Sequence, residues 1–287
     1  MNRLQQINPF AKRETHSSTS ITTYKILTLL TWLLSVVTSV YYATTNDKPH
    51  NIWHQNYLFY SAFTQNAIIT SIYFAVLFIL QLGYISHLFS ADSSVASAAA
   101  SVGSHFIVNN ILHTVWVFLF VKSHFVWSEI ILLINFINLT SLYFRHNAYP
   151  RFIHAPAVSG PLAWTFVAIY WNGAIMIPHG HSLAARIIAN VVVWSVLVYG
   201  GFFIVVYKDY TMGFALSVLT ASLGVAQFFR QIVAFQWIFA FTIMAVLFVA
   251  TLLVAVPAWT GREVTWGGRS SRTAEPADTE RAPLLGE

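Results

Sequence analysis

Long apolar runs separated by short polar segments dominate this chain. Ile187 to Tyr207 is 21 residues long without a formal charge, and Gln231 to Gly261 is a second such run. About 20 apolar residues in a helix cross the ~30 Å hydrocarbon core of a bilayer. We therefore predict an all-α fold, a polytopic transmembrane helical bundle of about eight spans: residues 26–43, 60–87, 104–122, 126–145, 158–177, 184–207, 211–227 and 234–256.

The composition favours a membrane protein over a soluble domain. Charged residues make up 9% of the chain, hydrophobic residues make up 56%, and the mean hydropathy is +0.61. So few charges cannot cover so much apolar surface in water, whereas helices facing lipid need no such cover. The net charge of +5 is spread thinly between the spans. The expected partner is thus the lipid bilayer, and no nucleic acid is expected.

The predicted spans divide the chain into three parts. Residues 1–23 are expected to be a disordered cytosolic tail, 24–257 the transmembrane helical domain, and 258–287 a second disordered cytosolic tail. The small and polar residues 90–104 predict a loop between two spans.

Lysine and arginine indicate the orientation. With the N-terminus in the cytosol, eleven of these residues fall on the cytosolic side and four on the other. Basic residues concentrate on the cytoplasmic side of membrane proteins. An even number of spans then places both termini in the cytosol.

The third predicted span is the richest in polar side chains. His105, Asn109 and His113 recur every four residues and share one helical face, which Trp116 continues. Polar groups in a membrane line cavities or fasten helices to one another. The sequence leaves open whether this face binds a ligand or forms hydrogen bonds between helices.

The fourth predicted span carries Glu129, the only acid expected inside a span. This carboxylate could contact a ligand or relay protons, or it could simply favour the start of a helix through the helix dipole. Asn135 and Asn138, three residues apart, are expected to pack against neighbouring helices.

Cofactor and catalytic motifs are not found in the sequence. Two facing histidines at matched depth would be needed for a haem, but His105 and His113 share one helix. The chain has no cysteine, and it lacks a phosphate-binding glycine loop or a zinc-binding helix motif. We predict no cofactor, metal or catalytic residue, and an enzymatic activity has no support.

The C-terminal tail carries a short sorting pattern. Glu280, Leu284 and Leu285 have the spacing of an acidic dileucine signal, Glu-x-x-x-Leu-Leu. A disordered peptide of this kind offers a carboxylate and two leucines to clathrin-type adaptors. It predicts a Golgi or vacuolar membrane as the location.

The fifth predicted span carries a recognisable motif. Trp164-x-x-x-Ala168-x-Tyr170-x-Asn172, with Pro161 just before it, resembles the last-helix motif of the tryptophan-rich sensory/translocator protein family. Upstream, His113-x-x-Trp116-x-x-x-Phe120 is similar to the third-helix pattern of that family. The resemblance covers residues 26–177 and implies a five-helix core followed by three further helices.

The whole chain also resembles an uncharacterised fungal multi-pass membrane protein family, most clearly over Asn109 to Asn172. That resemblance implies a fold and assigns no activity.

Two functional hypotheses follow from these observations. The first is that the helical bundle binds or translocates a small apolar or amphipathic ligand. The second is a non-catalytic scaffold or trafficking protein that acts through its cytosolic tails. The candidate ligand-binding residues of the first are Asn109, His113, Trp116, Glu129, Trp164, Tyr170 and Asn172.

Overall fold

The computed structural model describes residues 10, 16–47, 50–145, 151–177, 182–231 and 233–260, and within these ranges the regular structure is helical throughout. An all-α helical bundle is therefore confirmed. In chain order the helices are α1 Ser18–Thr44, α2 Ile52–Leu58, α3 Ala67–Leu88, α4 Ser93–Val121, α5 Phe125–Arg145, α6 Arg151–His154, α7 Gly160–Met176, α8 Leu183–Val192, α9 Ser195–Tyr207, α10 Tyr210–Arg230 and α11 Gln236–Trp259.

Seven segments of the described chain are long and apolar enough to cross a membrane: α1, α3, α4, α5, the combined α8–α9 segment, α10 and α11. The fifth predicted span, 158–177, falls mainly on α7, a 17-residue helix. At 1.5 Å per residue it is about 26 Å long. A five-residue π-helical turn, Ala155–Ser159, joins it to α6. Because the π turn interrupts the α-helix, the described residues contain seven long apolar segments rather than the predicted eight.

Polar and apolar residues are distributed as expected for a bundle in lipid. Large apolar side chains lie on the outside; Val198, Ile68 and Ile79 are 73%, 71% and 67% exposed. Buried polar side chains lie between the helices, among them Thr70, Gln81, Asn110, Asn135 and Gln227. Exposed apolar surface on this scale is stable in hydrocarbon and not in water.

Hydrogen bonds between helices give the direction of each neighbour in the first half of the bundle. Tyr24 and Ser39 of α1 bond to Ser104 and His113 of α4, so these two helices run parallel. His105 of α4 bonds to Asn138 of α5, and Asn109 bonds to Asn135. Residues further along α4 therefore pair with residues earlier in α5, so these two helices are antiparallel.

The same evidence shows that α7 extends along most of α5. At one end, Asn172 of α7 accepts a hydrogen bond from Ser128 of α5. At the other end, Tyr143 of α5 and Ser159 of the π turn both donate to Asp209. We call the end with Phe125 and Asn172 the distal end. The end with Tyr143 and Asp209 is the proximal end.

Asp209 organises the proximal end. Its Oδ2 atom accepts hydrogen bonds from Ser159 Oγ at 2.7 Å and Tyr143 Oη at 3.1 Å. Its Oδ1 atom accepts from the backbone N–H groups of Thr211 and Met212, which makes it the N-cap of α10. One carboxylate thus fastens α5, the π turn and α10 together.

The centre of the bundle is formed by α4 and α10. In the most apolar 18-residue stretch of each of these helices, 61% is buried inside the protein, compared with 22% in α1. Helix α1 therefore lies at the periphery and presents most of its surface to lipid.

Residues 90–104 were predicted as a loop, and this prediction is wrong. Helix α4 begins at Ser93, where Asp92 Oδ1 accepts a hydrogen bond from the Ser94 backbone N–H at 2.8 Å. Ala96, Ala99 and Ala100 in this first part are buried against other helices. Small side chains have low hydropathy, but they allow helices to approach closely.

Three other boundaries differ from the prediction. Helix α1 begins at Ser18 inside the predicted tail 1–23, with Ser17 as its N-cap. The second span begins at Ala67 rather than at residue 60, because Asn66 caps α3 there. The last helix extends to Trp259.

Candidate functional site

Three tryptophan side chains meet in the interior of the bundle. The ring centroids of Trp116 in α4 and of Trp164 and Trp171 in α7 are 5.8, 6.0 and 5.9 Å apart in the three pairs. All three residues are buried, with exposed fractions of 2%, 3% and 0%. Trp164 and Trp171 are seven residues apart and so share one face of α7. Edge-to-face aromatic pairs at these distances stabilise the packing.

These tryptophans line a cavity of about 180 Å³, which we call the tryptophan cavity. It lies between α1, α3, α4 and α7, and α2 closes its distal end. Val40 of α1, which lines it, is 51% exposed, and Ser71 and Ala75 of α3 are also exposed. The cavity therefore opens sideways between α1 and α3. The other lining residues are Ser39, Ala43, Thr44, Ile52, Trp53, Phe74, Phe78, His113 and Val117.

The lining is almost entirely apolar and aromatic. Phe74 packs on Trp164 with a centroid distance of 4.7 Å and on His113 at 5.4 Å. Trp53 of α2 stacks on Trp171 at 6.4 Å. Flat apolar molecules fit a surface of this kind.

Four nitrogen groups belong to side chains that line the cavity. The indole N–H groups of Trp116, Trp164 and Trp171 have no hydrogen-bond partner among the described residues. The His113 Nε2 atom is paired with the Ser39 hydroxyl at 3.0 Å. Buried donors without a partner are rare and cost free energy. A ligand that brings an oxygen acceptor would offset this cost.

Asn109 does not line the tryptophan cavity. Its side-chain oxygen accepts a hydrogen bond from Asn135 Nδ2 at 2.9 Å and so joins α4 to α5. It borders an adjoining void of about 20 Å³, which His113 and Trp164 also line. The polar face of α4 thus has two roles: His105 and Asn109 fasten helices, whereas His113 and Trp116 line a cavity.

The remaining candidate residues lie about a second cavity. Glu129 and Tyr170 line a cavity of about 870 Å³ at the distal end, which we call the distal cavity. Asn172 is fully buried and donates a hydrogen bond to Glu129 Oε2 at 2.8 Å. Tyr170 and Asn172 flank Trp171 in α7, so they lie at nearly the same depth as that tryptophan but about 100° away from it around the helix. The predicted single site therefore divides into two.

Sequence reasoning missed several lining residues of the tryptophan cavity: Ser39, Trp53, Phe74 and Trp171. The seven-residue spacing between Trp164 and Trp171 is a signal in the sequence that places both on one face. The other three come from α1, α2 and α3, and only tertiary packing brings them to the cavity.

Some predicted residues lie outside the described part of the chain. They include Glu280, Leu284 and Leu285 of the sorting pattern. Within the described ranges no three histidine, aspartate or glutamate side chains come together as metal ligands would.

Comparison with known proteins identifies one similarity. Residues 186–285 match the model of a family described as a fungal protein of unknown function (DUF1774). The match assigns no activity. No curated protein and no solved structure matches the chain. The similarity to an uncharacterised fungal family is thus supported over the C-terminal part, and the translocator resemblance of residues 26–177 stays a prediction.

Proposed function

We propose that this chain is an integral membrane protein that binds a small amphipathic ligand in the tryptophan cavity. The observation that carries the proposal is a set of three tryptophans that line one apolar space and whose buried indole N–H groups have no hydrogen-bond partner among the described residues. Ligand sites typically combine an apolar lining with a few convergent polar groups. The ligand would place a flat apolar ring against the tryptophans and an oxygen acceptor on their N–H groups.

The size of the cavity limits the ligand. An apolar cavity of about 150 Å³ holds one benzene ring, and the tryptophan cavity measures about 180 Å³. A molecule with one ring, or one ring of a larger amphiphile, fits this space. Because the mouth lies between α1 and α3, such a molecule would enter from the bilayer.

The resemblance to the translocator family supports the same proposal. The residues of this chain that match the family's third-helix and last-helix patterns line one cavity, although they come from distant parts of the sequence. They are His113, Trp116 and Trp164. Tyr170 and Asn172 of the same motif lie elsewhere.

We also propose that the segment from α6 to α7 crosses the membrane as an eighth span. It extends along most of α5, from the Asp209 contact at the proximal end to Asn172 at the distal end. Eight crossings place both termini on one side, and the excess of lysine and arginine favours the cytosol. The proximal end would then face the cytosol.

The experiment uses the full chain in lipid nanodiscs. One- and two-ring phenols, ketones and aromatic acids are screened for an increase in the midpoint of thermal unfolding. Trp164→Phe and Trp171→Phe each keep an aromatic ring and remove one N–H donor. A lost hydrogen bond of about 1 kcal/mol weakens binding about fivefold.

Trp127→Phe is the matched control, because Trp127 lies on the outer surface and is 64% exposed. The proposal predicts normal binding in this variant and weaker binding in the two cavity variants. Equal binding in all three variants would count against the cavity, as would the failure of every ring compound to stabilise the wild-type protein.

A further inference from the structure

We propose that the distal cavity is a second binding site, which takes an organic cation with an apolar body. It shares no lining residue with the tryptophan cavity, so this proposal is independent of the one above. At about 870 Å³ it lies within the ~300–1,000 Å³ range of small-molecule sites.

Glu129 supplies the negative charge. Its Oε2 atom accepts a hydrogen bond from Asn172 Nδ2 at 2.8 Å. Asn172 is itself held by the Ser128 hydroxyl at 2.6 Å and by the Phe125 carbonyl oxygen at 2.9 Å. This chain of hydrogen bonds fixes the carboxylate at the wall of the cavity.

No cation among the described residues neutralises this carboxylate. The ion pairs of the described chain are His50 with Asp47 and His154 with Asp209, and the described lining of the distal cavity contains no lysine, arginine or histidine. Among the described residues this half-buried carboxylate has no counter-charge, and a carboxylate in such a setting favours the binding of a cation.

One oxygen of Glu129 faces a glycine. A Cβ atom built on Gly173 would lie 3.5 Å from Glu129 Oε1, at ordinary contact distance. The absence of a side chain at this position leaves that oxygen open to a ligand.

Aromatic side chains complete the site. Phe59, Tyr60, Phe63 and Tyr170 line the cavity, and the rings of Phe63 and Tyr170 stack with a centroid distance of 5.3 Å. The faces of aromatic rings attract cations, most strongly where water is excluded. A carboxylate beside several such faces selects an ammonium or phosphonium group attached to apolar substituents.

The cavity is placed to receive this cation from the aqueous phase. Its walls include residues 58–63, at and after the end of α2, and Ser182, the N-cap of α8. The first segment lies near the distal ends of α7 and α10, where Phe63 stacks on Tyr170 and Ser61 accepts a hydrogen bond from Gln227. We therefore expect the cation to enter from solution on the distal side.

The test measures binding of tetraphenylphosphonium by equilibrium dialysis to the full chain in maltoside micelles. Tetraphenylborate has the same shape and the opposite charge, and empty micelles give the background of each probe. At about pH 8 a free carboxyl group is ionised. The wild-type protein is expected to bind the cation and to bind the anion at least about tenfold more weakly.

Two variants examine Glu129. Glu129→Gln keeps an acceptor for Asn172 and removes the charge, and it should weaken cation binding about tenfold or more. Gly173→Ala keeps the charge, places a methyl group on the carboxylate and should also weaken binding. Asp92→Asn is the matched control, since it removes an exposed charge at the opposite end while asparagine still caps a helix.

Size-exclusion profiles and thermal midpoints establish that each variant is folded. The proposal is overturned if folded Glu129→Gln binds the cation as tightly as the wild type, or if both probes bind equally. The natural cation could be a dissolved molecule or the ammonium headgroup of a lipid, and adding phosphatidylethanolamine to the micelles separates the two. Unchanged binding of tetraphenylphosphonium supports a dissolved cation. Full displacement of the probe by the lipid overturns the aqueous source.

Discussion

Asn172 shows how a single polar side chain in a membrane helix can be assigned from its contacts. It is fully buried and forms three hydrogen bonds to α5, with Phe125, Ser128 and Glu129. Both N–H groups of its amide, and its oxygen, are therefore bonded within the protein. Its first role is to hold α7 against α5, and it affects ligands only through Glu129.

We predict that Asn172→Leu lowers the free energy of unfolding by about 1–2 kcal/mol, because each hydrogen bond between membrane helices contributes roughly 0.6 kcal/mol. Asn190→Leu, which removes an exposed bond to the Ala234 carbonyl, should change it by less than about 0.5 kcal/mol. Unfolding titrations in mixed micelles measure both. Equal stability of the two variants would contradict this role of Asn172.

Residue-level reasoning from the sequence found part of the site. The i, i+3 spacing of His113 and Trp116 places both on one face, and they do line one cavity. Tyr170 and Asn172 were assigned to that cavity because they belong to the same linear motif as Trp164. They flank Trp171, which does line the cavity, so they lie near its depth and differ from it in the direction they face. Residues of a helical motif therefore share a site only where they also share a face.

At the scale of elements, the last three helices pack closely through glycines. A Cβ atom on Gly200 would lie 2.7 Å from Leu247 Cδ2, and one on Gly213 would clash with the Thr251 hydroxyl. The two glycines therefore allow these helices to approach closely. At Gly201, by contrast, nothing lies within 4 Å of an added Cβ atom.

Gly213→Ala and Gly201→Ala therefore form a matched pair. The first should lower the free energy of unfolding by about 1–3 kcal/mol, because the added methyl group overpacks the contact with α11. The second should leave stability unchanged or raise it by up to about 1 kcal/mol, since alanine favours a helix more than glycine does. Thermal unfolding of the two variants side by side gives the comparison; a stable Gly213→Ala protein would disprove the close contact.

The start of α4 depends on its cap. Hydrogen bonds from the Ser94 hydroxyl, and then from the Ser94 backbone, hold the pKa of Asp92 below its ordinary value. A lowered pKa means that the ionised carboxylate stabilises the folded state. This contribution is present above the ordinary aspartate pKa of about 3.9 and is lost as the pH falls through the lowered value.

We predict that Asp92→Ala increases hydrogen exchange in the first turn of α4, whereas Asp92→Asn leaves it nearly unchanged. The wild-type thermal midpoint should fall more than that of Asp92→Asn when the pH is lowered from about 5 to about 2. Hydrogen exchange of residues 93–97 and melting curves across this range test both statements. Parallel pH profiles for the two proteins would refute the contribution of the carboxylate.

The same segment shows why the element boundaries were only partly predictable. Hydropathy detects helices whose apolar side chains face lipid. The first turns of α4 face other helices instead and carry small side chains. Alanine and serine suit such a position, because small side chains let helices approach. The long apolar helices were therefore predictable from the sequence, and the buried start of α4 was not.

For the molecule as a whole, topology is the most direct test. The native chain has no cysteine, so a single introduced cysteine reports its own side of the membrane. Ser18→Cys and Thr260→Cys should react on the cytosolic side, and His124→Cys on the other, because the bundle would cross the bilayer eight times. Impermeant maleimide labelling of intact and opened cells distinguishes the sides. Labelling of Ser18→Cys and Thr260→Cys from opposite sides would show that the α6–α7 segment does not cross.

The dileucine pattern gives a prediction about location. Changing Leu284 and Leu285 to alanine should redirect a fluorescently tagged protein away from the vacuolar membrane, because the adaptor contact would be lost. Gly286→Ala, just outside the pattern, is the control and should not alter the distribution. Identical localisation of both variants would exclude the sorting signal.

The tail also separates the two functional hypotheses. A protein that lacks residues 262–287 should retain ligand-induced stabilisation if the tryptophan cavity is the working part. Loss of cellular function with intact ligand binding would instead favour a scaffold that acts through its tails.

The sideways mouth between α1 and α3 has a consequence for measuring affinity. A compound that arrives through lipid is drawn from its concentration in the hydrocarbon, which its partition coefficient sets. Dissociation constants expressed per volume of water would then shift with the amount of lipid in the sample. Expressed as a mole fraction of the membrane, the same constants should stay fixed.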